Sequence, residues 1–131
     1  MTSSVLHAIS RKAQKILVRR GYTIVRSAPL RNRDAPETLV CTRGGVEILH
    51  VRLVPCPNTL TEGTEVARYC NCAIHDLRMQ LKNCQSPVHR YECWAVLPFG
   101  RFYPLAIMPD RLIDVCSGET VGLSAAGGAP L

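Results

Sequence analysis

No acidic residue precedes Asp34, although Arg11, Lys12, Lys15, Arg19, Arg20, Arg26, Arg31 and Arg33 all do. A stretch carrying one sign of charge cannot neutralise itself locally, so it favours polyanions: nucleic acid first, an acidic protein or membrane surface behind it. The competing reading is a solvated helix face on which Lys and Arg serve solubility. The other eight Lys and Arg stand against ten Asp and Glu, so the formal net charge of +6 is a property of the first segment.

Long apolar runs are also lacking. Arg, Lys, His, Glu or Pro interrupts every hydrophobic stretch short of the roughly 18 to 20 residues that span a bilayer, so no membrane partner is expected. The N-terminus has no charged segment leading into an apolar block and a small-residue cleavage site, so the reading is a cytoplasmic protein without a secretory signal. An Arg-rich, acid-free start also suits a mitochondrial transit peptide, but it runs straight into a strand-like segment as part of one pattern. Cysteine is plentiful, seven in 131 residues. The number is odd, and Cys41, Cys70 and Cys93 sit inside apolar patterns, so they read as buried thiols and not as a disulfide framework. The length suits one domain with its own core. Residues 1–116 are expected to form it, with 117–131, small and Gly/Ala-rich, as a fraying tail.

Val5, Leu6, Ile9, Ala13, Ile16 and Leu17 recur at helical spacing, Ser3 or Ser4 can cap the start, and Gly21 supplies a stop. The opposite face of this helix carries Arg11, Lys12, Lys15 and Arg19. Tyr22–Arg26 reads as a strand, and after a loop from Ala28 to Pro36 the runs Thr38–Thr42 and Val46–Val54 read as a hairpin about Arg43-Gly-Gly45. Pro55, Pro57 and Asn58 end it. Thr61 or Thr64 can cap a long second helix whose stripe is Val66, Cys70, Ala73, Ile74, Leu77, Leu81 and Cys84, closed by Pro87. Tyr91–Leu97 and Phe102–Met108 read as two further strands, with Pro104 placing the last at an edge and a short helical turn after Pro109.

The αβββαββ order, a mixed sheet flanked by helices, resembles the restriction-endonuclease-like or PD-(D/E)XK nuclease fold, and within it the archaeal Holliday-junction resolvase branch. The phrases that carry the likeness are Ala13-x-x-Ile-Leu17 leading to Arg20-Gly-Tyr-Thr-Ile-Val25, and Leu39-Val-Cys-Thr-Arg-Gly-Gly45 leading to Ile48-Leu-His-Val-Arg52; it covers roughly residues 4 to 97. The resemblance implies metal-binding acids on the first helix, at the start of the second strand and in an acid-x-Lys pair on the third. Ser10, Thr38 and His50-x-Arg52 occupy those positions. Magnesium requires hard oxygen ligands, so the resemblance implies a lapsed site. Magnesium would return as a cofactor only if Glu37, next to Thr38, or Glu47, on the third strand, were a ligand. Pleating places Glu47 with Leu49 and Val51, on the face opposite His50 and Arg52, which opposes that rescue.

His50 and Arg52 interrupt an apolar strand. They suit phosphate recognition, through a bidentate guanidinium and a donor imidazole, but the favoured reading is that they line the exposed end of a half-covered sheet or make a buried hydrogen bond. Cys70-x-Cys72-x-x-His75, with Cys84, His89 and Cys93 downstream, suggests zinc, but residues two apart on a helix point about 200° apart and cannot share one ion. Zinc is therefore not expected. Tyr91, Trp94, Phe99, Phe102 and Tyr103, interleaved with Arg90 and Arg101, suit either base stacking or core packing; Trp94 reads as buried.

Three functions follow. The first is a catalytically lapsed nuclease-like domain that binds nucleic acid, DNA above all, through Arg11, Lys12, Lys15, Arg19 and Arg52. The second is a non-enzymatic assembly subunit, for which a homodimer is plausible. The third is a metal-dependent endodeoxyribonuclease with a relocated carboxylate.

Overall fold

The computed structural model describes residues 3–28, 38–60, 63–84 and 86–121. The chain begins with helix α1, Ser3–Arg19, whose periodic apolar stripe buries Ile9, Ala13 and Leu17. It stops where the sequence places a stop. Gly21 takes φ 92°, Gly21 N–H bonds Val18 C=O at 3.0 Å, and Tyr22 N–H bonds Leu17 C=O at 3.0 Å. This pair of bonds defines a Schellman cap, and the left-handed residue it needs is most cheaply glycine. The turn redirects the chain into β1, Thr23–Ala28.

The strands β2, Thr38–Arg43, and β3, Glu47–Pro55, form the hairpin read from the sequence. Helices α2, Gly63–Tyr69, and α3, Asn71–Asn83, then carry the chain to β4, His89–Leu97, which pairs parallel to β3. The single long helix expected here is broken at Cys70, where ψ opens to 11°. Bonds from Cys70 N–H to Val66 C=O and from Ile74 N–H to Cys70 C=O cross the break, so it is a kink.

A turn at Pro98–Gly100 leads into β5, Arg101–Ile107, followed by β6, Leu112–Asp114, and β7, Thr120–Val121. The described residues thus form a mixed α/β fold with three helices and a seven-stranded sheet in the order β1 to β7, parallel only between β3 and β4.

Three expectations about the last third need correction. Pro104 does not mark an edge, because β6 pairs outside β5 from Leu105 to Ile107. The Pro104 carbonyl accepts from Val115 N–H at 3.0 Å just past that ladder, where a missing donor removes little. No helical turn follows Pro109. A tight turn closed by Met108 N–H to Arg111 C=O forms instead, and Arg78 of α3 donates to the carbonyls of Met108 (3.1 Å) and Arg111 (3.2 Å). The expected tail from Ser117 instead returns to the sheet at Thr120–Val121, with Val121 buried in the core. Residues 122–131, the loop residues Arg31, Arg33 and Glu37, and Thr61 lie outside the described residues.

Strand alternation divides the interior into two cores, one on each face of the sheet. Ile9, Ala13 and Leu17 of α1 pack with Leu39, Cys41, Leu49, Val51, Leu53, Trp94 and Val96. On the opposite face Val66, Ala67, Cys70, Ile74 and Leu77 of α2 and α3 pack with Tyr91, Cys93, Ala95, Leu105 and Ile107. No helix among the described residues is long and apolar enough to cross a membrane.

Candidate nucleic-acid interface

Burial of one stripe of α1 fixes what the other stripe presents. Arg11, Lys12, Lys15 and Arg19 are all exposed. Arg11, Lys15 and Arg19 follow at four-residue intervals, a row about 12 Å long on one side of the helix. A groove of about 450 Å³ runs beside them, lined by Arg11, Gln14, Lys15, Val18, Arg19 and Ile24 of β1. None of the four cations forms an ion pair with a described carboxylate.

The described carboxylates on the same face of the sheet, Glu92 and Glu47, are engaged elsewhere. Glu92 of β4, only 6% exposed, receives Arg20 Nη1 at 3.1 Å and Nη2 at 3.0 Å, and Trp94 Nε1 at 2.8 Å. Burial opposes the charge on Arg20, but the Glu92 pairing outweighs it and holds the guanidinium pKa above its ordinary value. Glu47 accepts from the Tyr22 hydroxyl and from Arg43 Nη2 at 2.9 Å. Its partial burial pushes the carboxyl pKa up, and these two donors outweigh that and bring it down. Tyr22 is pushed up to about 12 by burial and by the bond to Glu47. Cys41, beneath this network, is raised to about 11, first by burial and then by Glu92. The network joins the end of α1 to β1, the β2–β3 hairpin and β4.

The positions that the nuclease resemblance aligns divide between the two faces of the sheet, with Ser10 on one and the other three together on the opposite one. Ser10 is buried on the α1 face, where its hydroxyl accepts from Gln14 Nε2 at 3.1 Å. Thr38 pairs with Arg52 across β2 and β3, and Val40 with His50, so Thr38, His50 and Arg52 share the opposite face. Arg52 Nη1 meets Asp76 Oδ2 of α3 at 3.4 Å. Arg52 therefore stands apart from the α1 cations, which corrects its grouping with Arg11, Lys12, Lys15 and Arg19. Glu47 lies on the α1 face with Leu49 and Val51, as the pleat requires, and Glu37 lies outside the described residues.

His50 is packed between partners. Its Nε2 is 2.9 Å from His89 Nδ1, and its ring stacks on Tyr91 with centroids 4.7 Å apart. Burial, then the neighbouring His89 and Arg26, lowers its pKa, so the neutral ring is favoured. Cys70 is buried and Cys72 exposed, so they do diverge. No group of three or more His, Cys, Asp or Glu able to hold a metal ion occurs among the described residues.

The aromatics also separate. Tyr91 and Trp94 are buried; Phe102 packs against the α1 core and Tyr103 against the other. Phe99 alone of the five is fully exposed. Sequence reasoning missed Glu92, because a single acid inside Tyr91–Leu97 gives no sign of its partner 72 residues away. Comparison of the chain with protein-family models, curated proteins and solved structures finds no match.

Proposed function

We propose that the protein is a nuclease-like domain without hydrolytic activity that binds nucleic acid, DNA in the first instance, along the exposed face of α1. The observation that carries this reading is the absence of any described carboxylate partner for Arg11, Lys12, Lys15 and Arg19, while Glu47 and Glu92 on that face are bound to other donors. The local field is therefore positive and unscreened by any described carboxylate. Phosphate binding releases counterions from the nucleic acid, and that release supplies the affinity. At one charge per about 3.4 Å along each strand, a row of about 12 Å reaches three or four phosphates. The restriction-endonuclease-like ancestry belongs to this proposal. So does the loss of catalysis, since Ser10, Thr38 and His50 replace the acids that such chemistry uses.

The test replaces Arg11, Lys12, Lys15 and Arg19 with Gln, which keeps helix propensity nearly constant while deleting charge. The variant is expected to fold like the wild type and to lose retention of duplex and branched DNA at low salt. Neither protein is expected to cleave DNA with magnesium or manganese. Equal binding by the two would reduce the row to a solvated surface; cleavage abolished by Glu37→Gln or Glu47→Gln would restore the nuclease reading.

A homodimer is the second reading. It is favoured by β1, an edge strand among the described residues, whose Val25 is exposed, as is Val18 of α1. Sedimentation distinguishes it, since Val25→Lys should convert such a dimer to monomer.

A further inference from the structure

Phe99 combines two properties that rarely coincide. It is 97% exposed, more than any other large apolar side chain among the described residues. It is also the only described non-glycine residue with positive φ, at 62°. It sits at the tip of the β4–β5 hairpin, where Arg101 N–H bonds Pro98 C=O and Gly100 has φ 69°. Positive φ at both central positions is the type I′ pattern, in which Asn, Asp or Gly normally precedes the glycine. A Phe there contributes nothing to the turn and, being exposed, nothing to either core. Backbone outliers of this kind concentrate at functional sites.

The surroundings indicate which function. Lys12 Nζ donates to the Gly100 carbonyl, and a Cβ on Gly100 would come within 3.0 Å of that Nζ. The Lys12 ammonium also lies 5.9 Å from the Phe102 ring centroid. The tip is thus seated on α1 at Lys12, with Arg101 exposed next to it. An apolar anchor for a protein partner is usually ringed by other apolar groups, whereas an isolated ring among cations matches the stacking platforms of single-strand binders.

We infer that Phe99 stacks on an unpaired base of a single strand or branch point whose phosphates lie along α1. This rests on the nucleic-acid reading above and adds the class of nucleic acid. A paired, stacked base offers its face to no side chain, so the site discriminates against intact duplex.

Binding of a labelled oligothymidylate and of a labelled duplex of equal length, measured by fluorescence anisotropy at low salt, tests the inference. The wild type should prefer the single strand. Phe99→Ala should weaken that complex by about tenfold, the equivalent of about 1.4 kcal/mol, and leave duplex binding unchanged, while Phe99→Trp retains the preference. Phe99→Gly, which suits the backbone, should fold with at least wild-type stability. If Phe99→Ala binds the single strand as the wild type does, or the wild type shows no preference, the stacking role is wrong while nucleic-acid binding stands. If the wild type retains neither probe, both fall. A Phe99→Gly variant less stable than the wild type would assign Phe99 to the fold.

Discussion

Tyr22 and Glu47 share one hydrogen bond and respond to it in opposite directions, which makes the bond visible at both ends of the pH scale. The Tyr22 pKa is raised to about 12 from an ordinary value of 10.0, by burial and then by Glu47. A raised value means that the folded state holds the proton more tightly. The contribution is therefore complete below about pH 10 and disappears as pH rises towards 12. The Glu47 carboxyl is opposed by burial but lowered overall by Tyr22 and Arg43. Its contribution is present above the ordinary carboxylate pKa and disappears as pH falls through the depressed one. Tyr22→Phe should flatten both limbs of a urea-unfolding profile against pH, the alkaline limb more. Parallel profiles for variant and wild type would show that the bond is not maintained in solution.

At the scale of elements, α1 is held to the sheet by its apolar stripe and, just past its last turn, by a half-buried polar tie from Arg20 to the buried Glu92. Replacing the buried member of such a pair leaves donors short of a charged acceptor, which costs more than the pair contributes. Glu92→Gln is expected to destabilise the fold by about 1 to 3 kcal/mol. It should also speed amide exchange in the last turn of α1 ahead of its first turns, since the tie is at that end. Uniform exchange along the helix would place the anchor in the apolar stripe alone.

The same elements show what the sequence makes legible. The stripe of Ile9, Ala13 and Leu17 predicts the buried face of α1, and alternation along β3 correctly separates Leu49 and Val51 from His50 and Arg52. These are local periodicities. The strands β6 and β7, three and two residues long, are too short to carry a period, and their positions depend on pairing with β5 and with each other. The kink at Cys70 interrupts a helical pattern that continues through it. At the interface, α1 was readable as a basic stripe; the engagement of Glu92 by Arg20, and the exposure of Phe99 while Trp94 is buried, depend on which distant segments the fold joins.

Over the described residues, the two sides of the sheet differ in their balance of charge: α1 carries cations and no acid, whereas α2 and α3 carry both signs. Glu65 and Asp76 stand on α2 and α3 with Arg68, Arg78 and Lys82, and Asp114 and Glu119 line a cleft with Gly63 and Thr64 at the start of α2. The α1 side presents cations whose neighbouring acids are occupied. A molecule polarised this way should meet nucleic acid α1 first, with an affinity governed by ionic strength. The salt dependence of duplex binding tests this most directly. Four phosphate contacts, at about 0.9 counterion each, should give a log-log slope near −3.6 for the wild type, and the Arg11, Lys12, Lys15 and Arg19 to Gln variant should show weak binding with a slope close to zero. Failure of the wild type to bind duplex at low salt, or an equal slope in the variant, would contradict the account.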